Sequence, residues 1–229
     1  MTERPAGSLL SVATGTRVAE YVRALIWDGS LRAGDRVRQG AIASALGVSR
    51  VPVREGLVAL ESEGLVTHEP QRGVFVVGLD RAFVADHYEL LGLVLGYVIE
   101  QAARRGDRHF KKELGELSEQ LTRAQSAHAV FPLAVEFKEL VCRVGGSARA
   151  RAAVSGMERL VPGNLHEQVP GAIDITRSGI PAIAQAIQAD DAVAAAAQTR
   201  AMTRRLSQAV IGELARRGLI EANPADQNR

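Results

Sequence analysis

The stretch from Ala41 to Leu57 restricts the fold of this chain more than any other segment. A small residue, Ala43, stands where two short helices would cross closely, and Gly47 follows four positions later, where the chain must turn. Val53 comes six positions after that glycine and would pack the second helix on the first. Two helices joined by a tight turn require this spacing, so the stretch predicts a helix-turn-helix whose first helix runs from about Gln39 to Leu46.

The second helix of this motif is predicted to have an inner and an outer face. Ser49 is expected to be its N-cap, and Pro52 is tolerated because a residue in the first turn needs no intrahelical partner for its N–H. The apolar residues that face inward are Val53, Leu57 and Leu60. The residues left outside near the helix N-terminus are Arg50, Val51 and Arg54. From this position a recognition helix presents side chains to the major groove of DNA.

A further helix is predicted before the motif. Residues 1–13 are small and polar without a clear period and are expected to form a flexible tail. Helical spacing begins near Thr16 and ends at Gly29. The apolar side of this first helix comprises Val18, Val22, Leu25 and Ile26, with Arg17, Glu20 and Arg23 elsewhere. Residues 31–38 are expected to be a short connector with a tight turn.

A β-hairpin is predicted after the motif. Two runs rich in β-branched residues, 65–68 and 74–77, bracket a turn at 69–73 that contains proline and glycine. Such runs around a turn are typical of a short hairpin. The hairpin would form a wing beside the helix-turn-helix, with Arg72 at its tip.

The rest of the chain is predicted to be helical, because no strand-like segment follows and Asp80 is placed to cap the next helix. The six predicted helices cover about residues 81–105, 107–127, 130–145, 148–161, 174–189 and 191–217. Most of them are apolar on more than one side, which suits an antiparallel bundle.

The sequence therefore predicts a mainly α protein with two domains. The first is a winged helix-turn-helix of three helices and a β-hairpin wing, and the second is an antiparallel all-helical bundle. The expected bounds are a flexible tail at 1–13, a DNA-binding domain at 14–78, a helical effector-binding and dimerisation domain at 79–220, and a flexible tail at 221–229.

Composition excludes several classes of protein. With 229 residues and 46% hydrophobic content, the chain can bury a core in each of two domains. A single cysteine, Cys142, excludes a disulfide framework and a cysteine-based zinc finger.

No apolar run approaches the ~18 residues of a membrane span, and no secretory leader is recognisable, so we expect a cytoplasmic protein without membrane contact. The net charge of +2 is too small to indicate nucleic-acid binding, which must rest on the motif. We find no phosphate-binding loop, nucleophile elbow or paired-carboxylate pattern in the sequence, so the sequence does not predict an enzyme.

The N-terminal segment resembles the GntR family of bacterial regulators, in its FadR-like branch with an FCD-type C-terminal domain. The motifs that carry the resemblance are Ile26-x-x-Gly29-x-Leu31-x-x-Gly34, Leu46-Gly-Val-Ser-Arg-Val-Pro-Val-Arg-Glu55, Leu60-x-x-Glu63-Gly-Leu65 and Arg72-Gly-Val-Phe-Val76. The resemblance implies a homodimer that binds a short palindromic operator in double-stranded DNA, most simply as a repressor. It implies DNA contacts from Arg38, Ser49, Arg50, Val51, Arg54, Arg72 and Gly73, with the last two entering the minor groove from the wing.

The resemblance also bears on metal binding in the C-terminal domain. Many FCD-type domains hold a divalent metal through one aspartate and three histidines. The stretch that matches the first two ligands is 134–138, which contains neither, and the other two positions hold Ile180 and Met202. An arginine that the family places after a Tyr-Glu pair corresponds to Leu91, which follows Tyr88-Glu89. We therefore expect no metal and no other cofactor.

Loss of the ligands predicts a more apolar effector site. The candidate effector-binding residues are Tyr88, Leu91, Lys138, Ile180 and Met202. An acyl-like molecule would suit the apolar members, whereas a small anion would suit Lys138. Two alternatives remain open at this point: a DNA-binding dimer with no effector, whose cavity has filled, and a metal-dependent carboxylate sensor.

Overall fold

The structure, a computed structural model, describes residues 6–157 and 160–220, and these residues divide into two compact units. The first unit comprises the chain up to Asp80, the short stretch Leu160–Pro162 and the segment that begins at Arg217. The second unit comprises the remaining described residues. The terminal residues 1–5 and 221–229, where the sequence predicts parts of two flexible tails, lie outside the described residues.

The first unit contains three helices and a hairpin. Their bounds are α1 Ala6–Trp27, α2 Gln39–Leu46, α3 Arg50–Ser62, β1 Val66–Glu69 and β2 Gly73–Val76. The two strands pair antiparallel, with Val66 opposite Val76 and Glu69 opposite Gly73. The predicted winged helix-turn-helix fold is confirmed.

α1 starts at Ala6, about ten residues before the predicted start near Thr16. Residues 6–13 contain four residues of good helix propensity, two alanines and two leucines, and no proline. A helix that already exists extends easily by one residue at a time. The lack of amphipathic periodicity, on which the prediction of a tail relied, does not prevent such an extension.

The core of the first unit lies where α1 crosses α3. Val18, Val22, Val53 and Leu60 are fully buried there. The two helices approach closely at Gly15 and Gly56, since a Cβ added to Gly56 would lie 2.7 Å from the carbonyl oxygen of Gly15 and 2.8 Å from Cγ1 of Val18. Glycine at position 56 therefore sets the distance between α3 and the helix that supports it.

The connector before α2 does more than link two helices. The amide of Val37 donates to the carbonyl of Val74 at 2.8 Å, and the amide of Val76 donates to the carbonyl of Asp35 at 2.9 Å. Arg36 thereby forms an isolated bridge with Phe75 and acts as a third, minimal strand. The sequence predicts only a turn here, because a single bridged pair leaves no period-two pattern to detect.

In the described residues of the second unit, every secondary-structure element is a helix. Its helices are α4 Arg81–Arg105, α5 Arg108–Arg123, α6 Ala127–Gly145, α7 Ala148–Met157, α8 Leu165–Gln168, α9 Ala172–Gln188 and α10 Ala192–Arg216. The predicted all-helical bundle is confirmed, although several helix bounds differ from those predicted. The short helix α8 was not predicted, and α5 ends at Arg123, four residues earlier than expected, because Ser126 caps α6 by accepting from the amide of Ala129.

α4 is the central helix of this bundle and runs antiparallel to α10. A Cβ on Gly92 would lie 2.4 Å from Oγ1 of Thr203, and one on Gly96 would lie 3.5 Å from the carbonyl oxygen of Ala196, so both glycines permit close contact. α4 is also long and apolar enough to cross a membrane by length and composition alone. Because it packs on α6, α7, α9 and α10, we interpret it as a core helix.

Candidate nucleic-acid interface

The turn between α2 and α3 has the geometry that the motif requires. Gly47 adopts the left-handed conformation, with φ of 64° and ψ of 35°, and ends α2. The amide of the next residue, Val48, donates to the carbonyl of Ala43 at 3.0 Å. A residue with a Cβ would be strained in this conformation, so the glycine permits the reversal that leads into α3.

Ser49 occupies the N-cap position of α3, as predicted, but its side chain makes no capping hydrogen bond. A capping oxygen normally accepts from the backbone N–H of the second or third helical residue. The third residue of α3 is Pro52, which has no N–H. The hydroxyl of Ser49 is exposed and remains available to a ligand outside the protein.

α3 separates its side chains as predicted. Val53, Leu57 and Leu60 are buried against the rest of the unit. Arg50, Val51 and Arg54 are exposed at the N-terminal end of the helix, beside Ser49. We call these four residues, Ser49, Arg50, Val51 and Arg54, the α3 face.

The wing lies beside α3 and is tied to it. The amide of His68 on β1 donates to Oε1 of Glu61 on α3 at 2.8 Å. A groove of 420 Å³ between the two elements is lined by residues that include Arg54, Val58, His68 and Val74. Sequence analysis did not predict the role of Glu61, because the contact joins residues on two different elements.

Arg72 lies at the exposed end of the wing and is not entirely free. Its guanidinium pairs with Glu69 and lies 5.3 Å from the ring centre of Phe75. Both contacts are local and exposed, so they hold the side chain only weakly. Arg72 can therefore exchange Glu69 for another anion.

Gly73 has a structural role that the sequence does not predict. Its φ is 114°, and a Cβ there would lie 3.1 Å from Nε of Arg36. The guanidinium of Arg36 thus lies close to Gly73, next to the turn at the tip of the wing. Among the described residues it has no ion-pair or hydrogen-bond partner. Arg38, the remaining predicted contact, is also exposed, just before α2.

A buried ion pair fixes the far end of α3. Arg23 of α1 is 3% exposed and donates from Nη2 to Oε2 of Glu63, just after α3, at 2.6 Å. The sequence pattern predicts Arg23 to lie outside the apolar side of α1, so the burial of Arg23 was not predicted. A buried guanidinium needs such a carboxylate, which makes the position of α3 relative to α1 specific.

The predicted effector residues lie on four helices of the second unit. Tyr88 and Leu91 on α4, Ile180 on α9 and Met202 on α10 are buried, whereas Lys138 on α6 is half-buried. Met202 lies against the turn of α9 that carries Ile180, since a Cβ on the adjacent Gly179 would be 2.6 Å from its sulfur. Burial raises the pKa of the Tyr88 phenol, so this side chain is neutral at physiological pH.

A buried polar contact in the same unit was not predicted. Nε2 of His166 on α8 lies 2.9 Å from Oγ1 of Thr176 on α9, and its Nδ1 lies 3.2 Å from Oδ1 of Asn164. Burial lowers the pKa of His166, which favours the neutral imidazole. Within 6–157 and 160–220, no group of three or more His, Cys, Asp or Glu residues is arranged to hold a metal ion.

Comparison with known proteins agrees with this description of the first unit. Residues 14–76 match the sequence profile of a family described as bacterial regulatory proteins, gntR family. An HTH-type transcriptional regulator of Mycobacterium tuberculosis is 32% identical over 146 residues, which is 64% of this chain and 60% of that protein. The gluconate operon transcriptional repressor of Bacillus subtilis is 32% identical over 117 residues, or 51% of this chain and 48% of that protein. The chain thus spans less than two thirds of the length of these relatives.

A solved structure extends the likeness to the second unit. A GntR transcriptional regulator from a Rhodococcus species superposes with a TM-score of 0.53 at 25% identity, over 87% of this chain and 98% of that one. The fold and the site define a winged helix-turn-helix protein that continues into a helical domain. The first unit carries the gntR-family profile, and 146 residues of the chain are similar to an HTH-type transcriptional regulator. These relatives are described as transcriptional regulators, and the prediction that the chain is not an enzyme stays a prediction.

Proposed function

We propose that this chain is a cytoplasmic transcriptional repressor that binds a palindromic DNA operator as a homodimer. The observation that carries the proposal is the α3 face, which exposes two arginines at the N-terminal end of a helix whose opposite side is buried. A helix of this kind enters the major groove end-on and places its first residues at the base edges. Repression is inferred from the Bacillus relative, which is named a repressor of the gluconate operon.

The residues of the α3 face divide by the kind of contact they can make. A guanidinium can donate two parallel hydrogen bonds to guanine, which contributes about 1–3 kcal/mol of discrimination. Val51 offers an apolar surface suited to a thymine methyl group, and the uncapped hydroxyl of Ser49 suits a phosphate or a base. We therefore assign base reading to Arg50 and Arg54 and positioning to Ser49.

The wing supplies a second, basic contact. Arg72 would exchange its ion pair with Glu69 for a contact with the DNA, and Arg38 adds positive charge before α2. We assign Arg36 to a phosphate, because its unpaired guanidinium is exposed and lies beside Gly73, near the tip of the wing. Gly73 would then act by making room for Arg36 rather than by touching DNA itself.

Arg36→Ala is expected to lower operator affinity and to flatten its salt dependence. Each phosphate contact contributes about 0.9 to the slope of log K against log salt concentration, so a dimer should lose close to two. The measurement is a fluorescence-anisotropy titration between 50 and 200 mM salt. Arg149→Ala, which removes an exposed arginine of the second unit, is the matched control and should leave the slope unchanged. An Arg36→Ala slope equal to that of the unaltered chain would contradict the assignment.

For the second unit we propose a metal-free effector domain of the FadR-like branch. Tyr88, Leu91, Ile180 and Met202 would contact an apolar part of the effector, and Lys138 would hold an anionic group. α4 and α9 each pack on the other and on both α6 and α10, which supports a common site in the bundle interior. The absence of a metal follows from the ligand positions, which hold side chains that do not bind divalent cations.

One observation favours an alternative without an effector. Leu91, Ile180 and Met202 are only 8%, 3% and 8% exposed, as expected for ordinary core residues. An open cavity would leave accessible surface on the side chains that line it. In this alternative the second unit serves dimerisation alone.

Native mass spectrometry of the purified chain is expected to distinguish these possibilities and to show no metal. A dimer with an added organic mass would support the effector site, whereas a dimer of bare sequence mass would support the alternative. Treatment with EDTA should leave the melting temperature unchanged, because no metal is linked to the folded state. A fall in melting temperature that zinc reverses would show that the metal-dependent carboxylate sensor is the correct assignment.

The DNA-binding proposal is tested by selection from a pool of random duplexes 30 base pairs long. We expect enrichment of an inverted repeat whose half-sites are related by the twofold axis of a dimer. The most enriched sequence then serves as the operator in all other measurements. Failure to enrich any sequence over several rounds at 50 mM salt would contradict the proposal.

A further inference from the structure

The groove of 420 Å³ between α3 and the wing combines apolar and polar side chains. Helix α3 forms one side of it, and the two strands of the hairpin form the other. The apolar residues that line it are Leu57, Val58 and Val74. The polar residues that line it are Gln39, Arg54, Glu61 and His68. We call this groove the α3–wing cleft.

The geometry of a DNA duplex decides what lies over the α3–wing cleft. In the proposed complex, α3 lies in the major groove and Arg72 on the wing enters the adjacent minor groove. These two grooves of a duplex are separated by a single sugar–phosphate strand. The strand that separates them must therefore cross the space between α3 and the wing, which is the cleft.

Two side chains of the cleft can donate hydrogen bonds to a phosphate and are not engaged within the protein. The imidazole of His68 and the side-chain amide of Gln39 have no hydrogen-bond or ion-pair partner among the described residues. His68 is exposed on β1, and Gln39 is the first residue of α2. The backbone of His68 is held in place, because its amide donates to Oε1 of Glu61 at 2.8 Å. Neutral donors of this kind are common partners of DNA phosphates.

Glu61 is the carboxylate among the residues that line the cleft, and its charge opposes a phosphate. Its bond from the amide of His68 requires an acceptor oxygen but not a negative charge. A glutamine at position 61 could accept the same hydrogen bond through its side-chain oxygen. Changes at His68 and at Glu61 should therefore alter DNA binding with opposite signs.

We propose that the α3–wing cleft binds one sugar–phosphate strand of the operator, with the imidazole of His68 as a donor to a phosphate and Gln39 as a second donor. The proposal rests on the DNA-binding function proposed above and deepens it. The contact carries no sequence information but fixes the position of the protein on the duplex. It sets the bases that α3 reads in register with the minor groove that the wing enters.

The first test is an anisotropy titration of the full chain against the selected operator at fixed salt. His68→Ala should weaken binding about tenfold, because the dimer loses one hydrogen bond in each half-site. His68→Gln keeps a side-chain N–H donor and should retain most of the affinity. Glu61→Gln should strengthen binding about threefold, because it removes a charge that repels the strand. Glu20→Gln removes an equal charge from an exposed position on α1 outside the cleft and is the control, which should change the affinity less than Glu61→Gln does.

Operators in which one phosphate at a time is replaced by a neutral methylphosphonate locate the contact. For the unaltered chain we expect a loss of affinity at phosphates between the bases read by α3 and the adjacent minor groove. At one of these phosphates the replacement should cost His68→Ala nothing further, because both changes remove the same contact.

Three results would overturn the assignment of the cleft: unchanged affinity of His68→Ala, additive losses at every phosphate, or weaker binding by Glu61→Gln. Operator binding that depends on Arg54 but not on His68 would remove the cleft and leave the DNA-binding proposal intact. If the unaltered chain binds no duplex, the DNA-binding proposal fails and the cleft falls with it.

Discussion

We expect Arg54→Ala to weaken binding of the selected operator at least tenfold. Arg54 lies one turn into α3 on the exposed side, between the helix N-terminus and the groove beside the wing. Loss of a bidentate contact to guanine removes about 1–3 kcal/mol per half-site, and a symmetric dimer loses it twice. The measurement is an anisotropy titration at fixed salt.

The same titration distinguishes base reading from general attraction. Binding to a scrambled duplex should change much less for Arg54→Ala than binding to the operator does, because a base contact carries specificity and a phosphate contact does not. Arg149→Ala changes the net charge equally and should leave both affinities as they are. Sedimentation should show that Arg54→Ala is still a dimer. Unchanged operator affinity for Arg54→Ala would remove α3 from the interface.

Gly56→Ala is expected to destabilise the first unit by about 1–3 kcal/mol, as overpacking of a close contact does. The added methyl would lie 2.7 Å from a backbone oxygen of α1 and 2.8 Å from Val18, and neither atom belongs to a flexible side-chain end. In a unit of this size the melting temperature should fall by roughly 5–15 °C. Trp27 is the single tryptophan and is buried in this unit, so its fluorescence reports the transition within the full chain.

Gly40→Ala is the matched control for Gly56→Ala. Gly40 lies on α2, where a Cβ would meet nothing within 4 Å. Alanine has the higher helix propensity, so this variant should be neutral or slightly more stable. The identical chemical change should therefore have opposite signs at the two positions. Equal effects would mean that the crossing of α1 and α3 is less close than described.

The fold of the first unit follows from local patterns and was predictable for that reason. The spacing of Ala43, Gly47 and Val53 encodes two helices and a turn within a short stretch, and the hairpin is encoded by β-branched runs around a turn. The exposed and buried sides of α3 follow from the same periodicity. The orientation of Arg50, Val51 and Arg54 toward solvent is therefore a consequence of sequence alone.

The sequence analysis did not predict features that leave no local pattern in the sequence. The Arg23–Glu63 pair joins residues forty positions apart, and the approach of Gly15 to Gly56 depends on how two helices cross. α8 is a four-residue helix, too short for a helical period to be visible. The sequence does show that Pro52, the third residue of α3, removes one of the two N–H groups from which the Ser49 hydroxyl could accept.

The two predicted sites differ in how far the sequence constrains them. Most of the predicted DNA-binding residues are neighbours on α3 and the wing, with Arg38 just before α2, so their exposure follows from local patterns in the sequence. The effector residues come from four helices, and each is an ordinary core residue by type except Lys138. Such a site is defined by the space between helices, and patterns along the chain carry no information on that space.

Hydrogen–deuterium exchange of the full chain, with and without the selected operator, tests the central claim most directly because it locates the interface. The first amides of α3 lack intrahelical partners and exchange fast in the free protein. Bound DNA should slow exchange over residues 49–54 and over the wing at 69–74, while α5 in the second unit should be unaffected. Operator binding that leaves residues 49–54 unprotected would contradict the assignment of α3 as the recognition helix.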